Sequence, residues 1–176
     1  LIYLLNNKKI HFMLIGIDFE LEIISKFKKY FEDRSKCKII INNYKIIKDI
    51  TNKIKLQKIL KKNKFFFIET TSINKLESNK IKFPLIVKKS RSTSSKDVFK
   101  IVSRKQLNKI SEKNFIVQKF IPGIEYTCSI SNYNNNTKNI IVLERLLKNG
   151  DSIKVKSNKQ KYEWMNNYLL DVYKSL

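Results

Sequence analysis

Phe83-Pro84-Leu85-Ile86-Val87-Lys88-Lys89-Ser90-Arg91-Ser92-Thr93-Ser94-Ser95-Lys96-Asp97-Val98-Phe99-Lys100-Ile101-Val102 decides the architecture of this chain. Leu85 to Val87 is an apolar run of strand length that delivers Lys88 at its end, and Val98 to Val102 is a second such run. Between them lies a polar stretch, Lys89 to Asp97, with no hydrophobic anchor. The layout is strand, hydroxyl-rich basic loop, strand. With Lys88, Lys89, Arg91 and Lys96 at hand, such a loop can wrap a phosphate through backbone N–H groups and charge-assisted bonds. The same composition fits a solvated hairpin tip, and the loop holds no glycine for close approach to a ligand.

Toward the C-terminus, Ser103 or Arg104 starts a short helix with Leu107 and Ile110 facing inward, and Phe115 to Ile121 reads as a strand broken by Pro122-Gly123. Glu125 to Ile130 alternates like a half-buried strand, Asn132 to Asn139 reads as a hairpin loop, and Ile140 to Leu147 returns as its partner. Lys154 to Lys156 adds an edge strand and Trp164 to Val172 an amphipathic helix. The strand end Gln118 to Ile121 can offer backbone donors and acceptors to a flat heterocycle, or serve sheet pairing alone. Glu125 can accept from hydroxyls or act as a local charge partner.

Toward the N-terminus, Ile10 to Ile17 suits a buried parallel strand, followed by a helix capped by Asp18 with Phe19, Ile23, Ile24, Phe27 and Phe31 at helical spacing as far as Glu32. Cys37 to Ile41 completes a βαβ unit. Asp49 or Thr51 is the expected cap of a second amphipathic helix carrying Ile54, Leu56, Ile59 and Leu60, with the first piece ending close to Lys64. Phe65 to Ile68 is another strand candidate.

A chain of 176 residues has room for one full domain or two small lobes, which excludes a large multidomain enzyme. Its net charge of +22 favours polyanions, yet the lysines are spread along the whole chain and only four basic residues are Arg. Non-specific attraction to RNA, DNA or anionic lipid at low salt needs no more than that excess. Cys37 and Cys128 are too far apart to read as a ligand pair and are expected to be buried. The lone His11 has no partner for a structural zinc. With no secretory segment, no disulfide framework and no apolar run long enough to cross a bilayer, a reducing, cytoplasmic location is expected. The opening at Leu1 reads as the middle of a domain, as in a fragment.

Residues 83–102, followed by Phe115-Ile-Val-Gln-Lys-Phe-Ile-Pro-Gly-Ile-Glu-Tyr-Thr127, resemble the ATP-grasp ligases, most closely the branch containing the large subunit of carbamoyl-phosphate synthetase and related carboxylate–amine ligases. Asp18-Phe-Glu and Asp49-Ile-Thr-Asn-Lys53 resemble the end of that branch's preceding domain and the start of the ATP-grasp fold. The similarity runs from residue 10 to 156. It implies an α/β fold class: a partial ATP-grasp fold with the end of a Rossmann-like pre-ATP-grasp domain at 1–50, and a partial ATP-grasp domain at 51–176 whose small α+β nucleotide-clamping lobe occupies 83–156.

The implied cofactor is ATP, with Mg2+ in the full family, and the implied partners are a carboxylate and an amine substrate with a missing lobe or second subunit. On this resemblance Lys88 contacts the α- and β-phosphates beneath a flap at Ser90 to Asp97, of which Ser95 and Lys96 keep the familiar end. Gln118 meets the adenine amino group, Lys119 and Ile121 supply hinge backbone contacts, and Glu125 accepts from the ribose hydroxyls. Lys53 reaches the nucleotide from the other side, and Arg145 is a substrate or phosphate contact. The chain departs from the family at Lys89, where proline is usual, and at Ser92, Ser94 and Asp97, where glycine is usual. The family's metal-binding residues fall on later strands, so the resemblance assigns no metal ligand and no catalytic residue here. It implies activation of a carboxylate as an acylphosphate for attack by an amine. A basic nucleic-acid-binding module and an inactive structural remnant are the alternatives.

Overall fold

A computed structural model describes residues 1–77, 81–91, 97–110, 113–133, 136–148, 151–157 and 162–176. They separate into two compact units, Leu1–Leu56 and Gln57–Leu176.

In the first unit, α1 (Ile2–Asn7), β1 (Phe12–Leu14), α2 (Asp18–Lys26), α3 (Lys28–Ser35), β2 (Lys38–Ile40) and α4 (Tyr44–Ile50) follow in order, and α5 (Lys53–Lys62) begins. β1 and β2 pair in parallel, Met13 opposite Ile39, as the βαβ reading requires. Leu5, Ile24, Cys37, Ile39 and Ile47 are buried, whereas Phe12 and Leu14, on the other pleat of β1, are exposed. The expected single helix from Asp18 is two helices, because Phe27 leaves helical geometry at φ −105°, ψ 17°. A one-residue break preserves the apolar spacing, so periodicity cannot reveal it. Asp18 is the first helical residue and makes no side-chain cap; the cap position is Ile17.

The expected caps of the next helix also move. Asn43 Oδ1 accepts from Ile46 N–H and opens α4, and Thr51 Oγ1 donates to the Ile47 carbonyl and closes it. Asp49 lies within α4 and pairs with Lys55 at 3.2 Å. Asn52 opens α5, its Oδ1 accepting from Ile54 and Lys55 N–H.

The second unit contains two antiparallel sheets. One has strand order β3 (Thr70–Ser72), β6 (Phe115–Lys119), β4 (Leu85–Lys89), β5 (Val98–Ile101); the other has the order β7 (Glu125–Tyr133), β8 (Asn136–Lys148), β9 (Asp151–Ser157). α6 (Arg104–Leu107) is capped by Ser103, and α7 (Trp164–Lys174) packs on β7. Residues 65–68 form no strand. Phe65 N–H goes to the Leu60 carbonyl, Phe66 N–H to Tyr168 Oη and Ile68 N–H to Gln57 Oε1, so those donors are taken before any ladder can form.

Pairing in the four-stranded sheet sorts its side chains by pleat. Leu85 and Val87 face Ile101, Val117 and Phe115, and with Leu107 they make a core to which Ile73, Leu76, Ile81 and Ile110 add. The opposite face carries Ile86, Lys88, Ile116, Gln118 and Thr70. Cys37 is fully buried, but Cys128, expected to be buried, is exposed on β7.

Candidate functional site

The face opposite the core collects polar groups that the apolar pattern alone leaves unassigned. Lys88 pairs with Ile116 across β4 and β6, and Ile86 pairs with Gln118, so Lys88 and Gln118 are diagonal neighbours on one face, with Cβ atoms about 7–8 Å apart or less. Ile116 is 0% exposed and Gln118 5%, while Lys88 is partly buried. On the far side of β6, Thr70 pairs with Gln118. Gln118 Nε2 donates to Thr70 Oγ1 at 2.6 Å, and Thr70 Oγ1 donates to the Ile68 carbonyl at 2.7 Å. Sequence reasoning missed Thr70. Its only signal was the hydroxyl run Thr70-Thr71-Ser72, whose partner stands 48 residues away.

Lys100, also missed, is on the same face through its pairing with Ile86, and its ammonium lies 4.0 Å from the Phe120 ring centroid. Phe120 N–H donates to the Pro84 carbonyl, which carries the β4–β6 ladder one residue further. Lys119 ends β6 exposed, Ile121 follows it 59% exposed, and Gly123 turns the chain at φ +156°, a geometry side chains rarely adopt.

Beyond that turn Glu125 opens β7 directly opposite Arg145 of β8. Arg145 Nη1 donates to Glu125 Oε1 at 3.2 Å and to Thr127 Oγ1 at 3.1 Å, and Nε donates to Ser152 Oγ at 2.8 Å. The arginine is thereby fixed by three acceptors on two strands. A groove of about 520 Å³ runs past this pair, lined by Gly123, Glu125, Arg145, Leu146, Lys154 and Lys156 among others.

Glu144, next to Arg145 but on the other pleat, accepts from Tyr162 Oη at 2.6 Å, and the Tyr126 and Tyr162 rings meet edge to face at 5.3 Å. Tyr162 is buried just before α7, so this bond ties the helix to the sheet that carries Arg145. Tyr162→Phe is expected to lower the unfolding free energy by about 1.5–3 kcal/mol, the worth of a hydrogen bond to a charged group. Urea unfolding checks this, and a midpoint identical to wild type would remove the tie.

Two of the departures noted in sequence meet in space: Lys89 Nζ lies 3.3 Å from Asp97 Oδ2, joining the two ends of the hydroxyl-rich loop. Both side chains are about one-third exposed, so the pair is worth at most about 1 kcal/mol, but it spans the position where proline and glycine are usual. Ser92, Ser94, Ser95 and Lys96 lie outside the described residues.

Lys53 stands at the first residue of α5, in the other unit. Burial pulls its ammonium below the ordinary lysine pKa, and the charge of Asp18 opposes that shift. Among the described residues no group of three or more His, Cys, Asp and Glu side chains is placed to hold a metal ion, and no helix is long and apolar enough to cross a membrane.

The second unit therefore brings Lys88, Gln118 and Lys119 onto one sheet, with Ile121 at its end, and pairs Glu125 with Arg145 on the other. No curated protein matches the chain. Solved structures do. The biotin carboxylase domain of 2-oxoglutarate carboxylase from Hydrogenobacter thermophilus, solved with MgADP, superposes with a TM-score of 0.75 at 12% identity, covering 98% of this chain and 44% of that one. Carboxyaminoimidazole ribonucleotide synthase from Aspergillus clavatus, solved with ATP, gives 0.71 at 11% identity over 94% and 47%, and the VanG D-Ala:D-Ser ligase of Enterococcus faecalis 0.70 at 14% over 93% and 55%. The chain spans about half the length of these three proteins. Residues 57–173 match the D-Ala D-Ala ligase C-terminus family, and the chain belongs to that family, an ATP-grasp-type ligase domain.

Proposed function

We propose that the unit Gln57–Leu176 binds ATP through the non-core face of its four-stranded sheet, as part of a ligase that activates a carboxylate as an acylphosphate for attack by an amine. The observation that carries the reading is the sharing of that face by Lys88 and Gln118, a cation and a buried, hydrogen-bonded amide on neighbouring strands. A phosphate needs the first and a nitrogen heterocycle the second.

In this reading Lys88 neutralises the α- and β-phosphates. Gln118 reads the adenine amino group, and the backbone of Lys119 and Ile121 edges the ring. Glu125 accepts from the ribose hydroxyls, with Arg145 holding it through Oε1 and leaving Oε2 to the sugar. Ser95 and Lys96, outside the described residues, are assigned to the phosphates by the resemblance alone. Lys53 is assigned to the nucleotide by the resemblance alone. When bound, ATP supplies the phosphoryl group for activation. No ligand for the family's Mg2+ is assigned.

Residues 1–50 are assigned, by the same resemblance, to an α/β domain that precedes the ATP-grasp fold. The finer placement beside the carbamoyl-phosphate synthetase large subunit is supported by the segments 83–102 and 115–127. The carboxylate and amine substrates are left at the level of chemical class.

Titration of the chain with ATP, with and without Mg2+, at ionic strength near 0.15 M separates a site from charge attraction. Saturable binding competed by ADP but not by tripolyphosphate is expected. Binding displaced equally by tripolyphosphate and lost steeply with salt would overturn the reading.

A further inference from the structure

We infer that Thr70 makes the site selective for a 6-aminopurine by locking the Gln118 amide with its carbonyl oxygen toward the ligand. The inference rests on the nucleotide reading above and adds a residue and a specificity to it.

Thr70 Oγ1 and the Ile68 carbonyl oxygen are 2.7 Å apart, and a carbonyl has no hydrogen to give, so the single Thr70 hydroxyl proton lies between them. Toward Gln118, 2.6 Å away, Thr70 Oγ1 then has only lone pairs, and the group facing it must be the amide NH2. The Ile68 N–H is in turn held by Gln57 Oε1 at 2.6 Å, which anchors the residue that carries this carbonyl. The chain of donors runs from Gln118 through Thr70 to Ile68, and Gln57 on α5 anchors its end.

A planar amide whose nitrogen is engaged on one side presents its oxygen on the other. Gln118 Oε1 is therefore an acceptor for a purine 6-amino group. Against a 6-oxopurine it would set two acceptors face to face. Without Thr70 the amide gains the freedom to turn over and present NH2 to a 6-oxo group, so a neutral glutamine discriminates only while its orientation is imposed. Mispaired polar groups of this kind change binding by about tenfold or more.

The test compares the ATP to ITP affinity ratio of the full chain with those of Thr70→Val and Thr70→Ser. Wild type is expected to favour ATP by about tenfold or more, Thr70→Ser to keep that ratio, and Thr70→Val to lose most of it. Thr70→Ala, measured beside the valine variant, serves if Thr70→Val does not fold. A merely structural role would weaken both nucleotides together and leave the ratio unchanged. An unchanged ratio in a folded Thr70→Val or Thr70→Ala overturns this inference and leaves the nucleotide site standing. Absence of saturable binding in the wild type overturns both.

Discussion

Ile116→Ala is expected to lower the free energy of unfolding by about 2–5 kcal/mol, the range for truncating a buried large aliphatic side chain to alanine. Ile116 is fully buried, and β6 is flanked by β3 and β4, with Ser72 and Lys88 as its register partners. It lies on the face opposite the Leu85, Val87 and Val117 core, so the cost includes a cavity directly beneath the proposed site. A single domain is stable by about 5–15 kcal/mol, and a loss of this size takes a large share of it. Ile116→Val should cost about 0.5–1.5 kcal/mol. Ile121→Ala, at a 59% exposed residue after the strand, should change stability by no more than about 0.5 kcal/mol. Urea unfolding followed by circular dichroism orders the three. If Ile116→Ala costs no more than Ile121→Ala, the burial of β6 on both faces is wrong.

The same burial explains what the sequence made legible. Phe115, Ile116 and Val117 face alternate sides and are all buried, which forces a continuous apolar run, and such a run announces a central strand. β4 and β5 carry enough of the same signal to be placed within a residue or so of their ends. Phe65 to Ile68 is as apolar as any of them and is not a strand, because its amides are satisfied by Leu60, Tyr168 and Gln57. Tyr168 is about a hundred residues distant in sequence from its Phe66 partner, and no local pattern reports it. Thr51 illustrates the same limit at short range: a threonine near a helix boundary fits either end, and here its hydroxyl serves the carbonyl behind it.

The candidate site was legible through resemblance rather than through periodicity. Composition alone left Glu125 open between a hydroxyl acceptor and a charge partner, and the structure shows the charge partner, Arg145. That pairing leaves one carboxylate oxygen for another role. Lys89 and Asp97 looked like two separate departures from a phosphate loop; in space they are one contact, in which a salt bridge stands where the family uses residues of special backbone geometry.

Lys88→Ala should weaken ATP binding by about ten- to a hundredfold, the equivalent of a charge-assisted bond of about 1.5–3 kcal/mol. The lysine side chain leaves the sheet on the face shared with Gln118, whereas its backbone pairs with Val98 and Ile116, so the substitution removes the cation without touching the ladder. The nucleotides then separate by phosphate number. ATP and ADP affinities should both fall, and adenosine affinity should hold, if, as proposed, Lys88 serves the α- and β-phosphates and Gln118 the base. Gln118→Ala should weaken all three. Isothermal titration of wild type and both variants, with circular dichroism to establish that each is folded, gives the pattern directly. Unchanged ATP affinity in Lys88→Ala removes this lysine from the site. A loss shared equally by adenosine and ATP means that the substitution acts through the sheet rather than through a phosphate contact, and the phosphate role of Lys88 then falls.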